Sequence, residues 1–262
     1  MLKKFLSLFA AIVICQSCTK SINDNPQISP VNLDFKTSVN ISNSTTSVNL
    51  KQGLIAYYPF NGNANDASGN NNNGTVNGAI LTKDRFNKNN KAYLFENGAT
   101  IAVPHNPSFG FTSNSGFSVS IWALKTGTQD VMHLIGKRVQ GNDYFNWQIA
   151  YVNTIQPPNT TLDGLSFATL TGGVYTGAFT KNYFPLSEWV HITAVYNNGT
   201  WSIYQNGNLV ASSFNSNLGA DTNCDLTIGN SANYEPFYGA LDDIRIYNRA
   251  LNLSEIKYLA TH

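Results

Sequence analysis

The sequence predicts an all-β fold closed by one short helix, and three observations carry that expectation. Apolar and polar residues alternate with period two along a series of short runs, as half-buried strands require. Asn198-Gly199 and Asn206-Gly207 stand between such runs, and Asn-Gly supplies the two positive-φ residues of a type I′ hairpin. Helical periodicity is nearly absent before the final segment. The 262 residues accommodate one large β domain, since single all-β domains reach about 200–250 residues. Only 12% of residues are charged and the formal net charge is +1, so there is no electrostatic case for a nucleic-acid partner.

The first segment is not part of the fold. Lys3 and Lys4 precede an apolar run at 5–14 that is too short to span a bilayer as a mature helix. The string Ile14-Cys15-Gln16-Ser17-Cys18 resembles a bacterial lipoprotein signal, which implies removal of residues 1–17 and lipidation of Cys18. Cys15 stands where such signals usually carry an aliphatic residue, and cleavage after Ser17 without lipid is the alternative, giving a secreted chain. With Cys15 removed and Cys18 acylated, Cys224 is left alone and no disulfide is expected; a Cys18–Cys224 bridge is the competing arrangement. Residues 18–51 are rich in Ser, Asn and Thr, carry Pro26 and Pro30, and read as a disordered tether. Val31, Leu33 and Phe35 alternate within it as a short docking strand would, but the linker reading is preferred.

The folded domain is expected over 52–262. Its first strand runs over 54–60, with Pro59 marking the end. Residues 61–78 are mostly Asn, Gly and Asp, which favour Asx-turns and left-handed backbone, so a long loop follows. Further strands are expected at 92–95, 100–103, 117–124, 133–137, 145–152, 164–170 and 174–179. Those at 189–196, 200–205 and 208–211 form a meander through the two Asn-Gly turns, and 226–229 follows. In the last strand Ile244 and Ile246 share a face, and Asp242 has the same parity. A carboxylate on the apolar side needs a cation, a metal or several donors. Asn248 and Arg249 end the strand, and Ser254 is expected to cap a helix whose Ile256, Leu259 and Tyr258 face inward.

Three blocks carry a family resemblance: YYPFNGNANDASGNNNNGTVNGA at 57–79, WVHITAVYNNGTWSIYQNGNLVAS at 189–212, and FYGALDDIRIYNRALNLSEIKYL at 237–259. In this order they resemble the laminin G-like (concanavalin A-like) jelly-roll modules common in bacterial surface proteins. The resemblance covers nearly all of the domain. It implies a two-sheet antiparallel jelly-roll sandwich of the concanavalin A-like lectin/glucanase type with a short C-terminal helix. By analogy with related domains it also implies a structural Ca2+, with Asp66 and Asp242 meeting where first and last strands pair and Asn63 and Asn65 completing the shell. The alternative has Asp242 paired with Arg245 or Arg249 and Asp66 in an Asx-turn.

No catalytic constellation accompanies the fold. Glycoside hydrolysis usually needs two positioned carboxylates, yet Glu96, Glu188, Glu235 and Glu255 are isolated and Asp242-Asp243 are adjacent on a strand. His105, His133, His191 and His262 lack metal-ligand spacing, with His105 expected to be exposed in its turn. Cys224 sits beside acids that disfavour a thiolate. Aromatic residues are the remaining resource, with 4 Trp and 13 Tyr. Tyr144 shares a parity with Asn146 and Gln148, while Phe145, Trp147 and Ile149 share the other and read as core. Trp122 and Trp201, as strand aromatics, are also most readily core, whereas Tyr175, Tyr183 and Tyr234 lie near loops and are the better candidates for exposure. A rim is expected at Gln156-Pro157-Pro158-Asn159.

The combined reading is a non-catalytic recognition module anchored by Cys18 to a Gram-negative, Bacteroidetes-type envelope as an outer-membrane lipoprotein, facing the periplasm or the outside. Carbohydrate is the leading ligand class implied by the resemblance. Protein adhesion, or service as a scaffold subunit of a surface nutrient-capture assembly, is the rival, and glycoside hydrolysis the minor alternative.

Overall fold

The structure, a computed structural model, describes residues 47–139, 144–156, 160–181, 184–231 and 235–262, all within the second of the chain's two units, Thr45–His262. The signal-like segment, Cys18, residues 31–35, the rim at 157–159, Tyr183 and Tyr234 lie outside the described residues. Among the described residues no helix is long and apolar enough to cross a membrane.

The elements in chain order are β1 (Leu54–Tyr58), β2 (Thr75–Asn77), β3 (Ile80–Thr82), β4 (Ala92–Phe95), β5 (Thr100–Val103), β6 (Phe117–Lys125), β7 (Val131–Arg138) and β8 (Phe145–Gln156). They continue with β9 (Thr160–Thr171), β10 (Val174–Phe179), β11 (Trp189–Asn197), β12 (Thr200–Gln205), β13 (Asn208–Phe214), β14 (Leu226–Ile228), β15 (Gly239–Tyr247) and α1 (Leu253–Leu259). They build the expected jelly-roll sandwich. One sheet has eight strands in the order β13-β12-β11-β6-β15-β4-β3, with β1 also paired to β15. The other has seven, in the order β10-β9-β8-β7-β14-β5-β2. First and last strands do pair, Tyr57 opposite Arg245 and Tyr58 opposite Ile244. Asn198 and Asn206 take positive φ, each followed by a positive-φ Gly, which is the type I′ geometry their dipeptides specify.

Alternating residues of both sheets fill the core. Phe111 stacks on Phe117 at 4.0 Å, Phe117 meets Phe167 at 5.5 Å, and Phe167 meets Trp201 at 4.8 Å. Each fully buried Phe contributes about 2–3 kcal/mol through lost apolar exposure. The indoles keep their donors satisfied: Trp147 Nε1 donates to Phe109 O at 2.9 Å and Trp201 Nε1 to Asn215 O at 2.8 Å. A second cluster, with Val195, Tyr247, Leu251, Ile256 and Leu259, lies where α1 packs on the outer face of the eight-stranded sheet.

The structure corrects the sequence reading at several points. Thr75–Asn77 pairs with β5 although it lies in the Asn/Gly-rich run, because the neighbouring strand supplies partners that local composition does not advertise. The cap of α1 is Asn252, not Ser254: its side chain accepts from Glu255 N at 3.0 Å while Glu255 Oε2 accepts from Asn252 N at 3.0 Å. Tyr258 faces out, 40% exposed. Asp242 does not point into the core, since pairing with β6 shifts between Asp242 and Arg245 and Asp243 adopts a φ of 53°. That bulge resets the alternation, so Leu241, Ile244 and Ile246 all face inward. A bulge in β8 between Phe145 and Gln148 likewise splits the parity sets. Phe145 turns outward with Gln148, and Asn146 turns inward to pin Phe111. Trp122 is half-buried on the outer face rather than in the core, and His105 is half-buried rather than exposed.

Candidate functional site

The resemblance places calcium at the junction of the chain ends. There, Asp66 Oδ1 accepts from Tyr57 N at 2.9 Å and Ser68 N at 2.8 Å, and Oδ2 accepts from Ser68 Oγ at 2.8 Å and Asn72 N at 3.0 Å. Asn63 Oδ1 accepts from Asn65 N at 2.9 Å in its own turn. Asp242 turns to Arg85, with Nη1 to Oδ2 at 3.0 Å, and Arg85 reaches Asp243 at 3.4 Å. A cation at Asp66 would face four donor hydrogens, and Asp242 already has its counter-charge. Among the described residues no group of three or more His, Cys, Asp or Glu could hold a metal ion. The four residues do not fit calcium as they stand. Neither alternative partner for Asp242 holds: Arg245 takes Asp243 at 3.0 Å and Arg249 takes Glu255 at 2.7 Å. Arg85, from the β3–β4 connection, was not legible as the partner because nothing local ties it to a residue so distant in sequence. Burial pushes the Asp242 carboxyl up to about 7, Asp243 adds to the rise, and Arg85 offsets it in part.

The outer face of the seven-stranded sheet has a different character. Register places Gly136 beside Gln148, Gln148 beside Ala168, and Ala168 beside Gly177, giving a transverse row with small residues on three of its four strands. On one side runs Arg138–Phe145–Leu170–Tyr175, and on the other His133–Ala150–Ser166–Phe179. The middle row is therefore a shallow trough whose floor is buried beneath the aromatic and polar side chains on either side. Gly177 cannot be larger, because a Cβ there would run into the Phe167 carbonyl and Ala168. Tyr175 leans across the trough: its hydroxyl accepts from Gln148 Nε2 at 3.3 Å and donates to Ser166 Oγ at 3.2 Å. Its ring lies 5.7 Å from Phe145 and 5.2 Å from Phe179, and the residue is 37% exposed.

The charged groups along this face pair with one another. Arg138 binds Glu235 at 2.8 Å and lies over the Phe145 ring at 5.5 Å. Glu235 Oε2 has no hydrogen-bond partner among the described residues. His133 is fully buried, and burial pushes it down to about 4, so it is neutral near pH 7 and ill-suited to proton transfer there. Glu235 and Glu255 are both engaged as counter-ions to arginines. Burial raises the Cys224 thiol, which disfavours a nucleophilic thiolate. In the sequence Tyr175 stands out no more than Tyr183 and Tyr234 as a candidate for exposure and the binding residues are not located; the trough floor emerges only once register aligns Gly136, Ala168 and Gly177.

Comparison with known proteins agrees with this architecture. The family model for the concanavalin A-like lectin/glucanases superfamily matches residues 95–257. The chain is 27% identical over 215 residues to Paraclostridial mosquitocidal protein 1 of Paraclostridium bifermentans, covering 74% of this chain but only 16% of that protein. The binding domain of that toxin superposes with a TM-score of 0.61 at 24% identity, over 81% of this chain and 52% of that one. Domain 4 of an extracellular arabinanase from Geobacillus stearothermophilus, solved in complex with arabinotriose, gives 0.61 at 24%, over 79% of this chain and 98% of the domain. The binding domain of botulinum neurotoxin DC, solved in complex with SialylT, gives 0.56 at 15%, over 81% of this chain and 52% of that one. Sialidase chains share the fold as well, with a TM-score of 0.56 for one from Trypanosoma rangeli. The chain belongs to the concanavalin A-like lectin/glucanase superfamily.

Proposed function

We propose that the chain is a non-catalytic recognition module that binds carbohydrate across the outer face of its seven-stranded sheet. The observation that carries this reading is the trough over Gly136, Gln148, Ala168 and Gly177, spanned by the half-exposed Tyr175 ring. Sugars offer apolar C–H faces for a ring and hydroxyls for charged groups, and this face supplies the half-exposed Tyr175 ring together with the partly exposed Arg138–Glu235 pair. Structures of relatives in complex with arabinotriose and with SialylT support the ligand class. A glycan array probed with the whole chain and with Tyr175→Ala tests it. Specific hits that weaken tenfold or more in the variant are expected. A clean array with saturable capture of a protein partner would replace this reading with adhesion, and turnover of any hit would replace it with hydrolysis.

We also propose that Cys18 carries the anchor to an outer membrane, on the strength of its lipoprotein-like signal. Mass spectrometry of the N-terminal peptide should show a diacylglyceryl cysteine. An unmodified Cys18 N-terminus would make the protein secreted.

A further inference from the structure

We propose a second saccharide site on the opposite sheet, formed by Trp122, Trp189 and Phe86 and selective for a carboxylated sugar. Trp122 on β6 and Trp189 on β11 both point outward from the eight-stranded sheet and are half-buried. With the 56%-exposed Phe86 and with Arg85 they line a cleft of about 260 Å³. The Arg85 guanidinium lies 4.6 Å from the Trp122 ring centroid and 4.5 Å from that of Phe86, so it locks the edge of the cleft. With the Trp122 ring held between Arg85 and His191, the apolar surface of the cleft comes from Trp189, the exposed Phe86 ring and the edge of Trp122, enough for the apolar face of one sugar ring.

The charge preference comes from the adjoining cleft of about 290 Å³, which shares Arg85 and Phe86 with the first. Its carboxylates Asp242 and Asp243 are held by Arg85 and Arg245. Lys88 and Lys91 meet no carboxylate within salt-bridge distance among the described residues; Lys88 Nζ lies over the Phe86 ring at 5.6 Å, while Arg85 also donates to His262 O. Asp84 is itself engaged, accepting from Phe86 N and Lys88 N at 2.9 and 2.8 Å. A ring seated on the indoles therefore reaches over Phe86 with its carboxylate toward Lys88 and Lys91. This site lies on a different sheet from the trough and does not rest on it.

Titration of tryptophan fluorescence with sialyllactose, with lactose as the uncharged counterpart, tests the assignment. Trp147 and Trp201 are fully buried in the core, so a ligand-dependent signal reports Trp122 and Trp189. Saturable quenching by sialyllactose is expected, at least tenfold weaker for lactose. Trp189→Ala should weaken it tenfold or more, and the exposed Phe86→Ala should do so with an unchanged melting midpoint. Lys88→Ala with Lys91→Ala should remove the preference over lactose. Tyr175→Ala should leave all of this intact. No saturable change, equal response to lactose, or loss in Tyr175→Ala without loss in Phe86→Ala would each overturn the site.

Discussion

Asp66→Ala removes the acceptor that the start of the domain is built around. Its carboxylate takes Tyr57 N from β1, Ser68 N and Oγ, and Asn72 N. A hydrogen bond to a charged acceptor is worth about 1.5–3 kcal/mol, and a buried donor left unmet costs the same order. Water can reach part of this half-buried site, so the net loss is about 4 kcal/mol rather than the full sum. For a domain of this size that lowers Tm by about 8–16 °C. Asp66→Asn keeps an oxygen for Tyr57 N and Ser68 N but turns an amide donor toward Asn72 N, so about half the loss is expected. Thermal melts of wild type and both variants, with and without EDTA, form the assay. The wild-type midpoint should not respond to the chelator. If EDTA lowers it as far as Asp66→Ala does, and Asp66→Asn is as damaging as Ala, a cation holds the loop and the donor account fails.

The remaining predictions concern pH, the helix cap and the trough floor. Burial holds His133 down to about 4 and His191 down to about 3. The folded state thus binds fewer protons than the unfolded one below about 6.5, and their contribution, full above that pH, is lost as pH falls toward 4 and 3. Urea midpoints should decline from pH 7 to pH 4 by the equivalent of about 3 kcal/mol per histidine, and His191→Gln should flatten the slope. Asp242 acts in the opposite sense: raised to about 7, its contribution is present below the ordinary carboxylate range and lost as pH rises through 7. Asp242→Asn should therefore steepen the rise of stability between pH 4 and pH 7. Glu255→Ala breaks its pair with the half-buried Arg249 and half of the capping box, and should cost about 2–3 kcal/mol in urea melts. Asn252→Ala should cost only about 1 kcal/mol. Gly177→Ala forces a Cβ onto the Phe167 carbonyl and should destabilise by about 2 kcal/mol or more, with saccharide binding falling alongside.

Local signals carried much of this fold. Period-two runs located strands such as Ala92–Phe95, Thr100–Val103, Val174–Phe179 and Thr200–Gln205 at their observed bounds, because their polar-to-apolar edges coincide with turn residues. Failures occurred where a non-local partner decided the outcome. Thr75–Asn77 is a strand only because β5 lies beside it. The bulges at Asp242–Asp243 and in β8 reverse which side chains face out, and a one-residue insertion leaves alternation looking regular in the sequence. The site was less legible for the same reason. Tyr175 could be read as an exposed aromatic, but the trough beneath it requires the register of β7, β8, β9 and β10 together. Arg85 contacts Asp242 across more than half the chain, and no local pattern announces such a pair.

The most direct test of the account is a crystal structure of the protein soaked with an oligosaccharide that the array selects. The account predicts sugar density on the outer face of the seven-stranded sheet above this trough, with a pyranose or furanose ring against Tyr175 and a hydroxyl at Arg138 or Glu235. Density confined to the strand-edge loops or the chain-end junction, with the trough empty at saturating ligand, would contradict it.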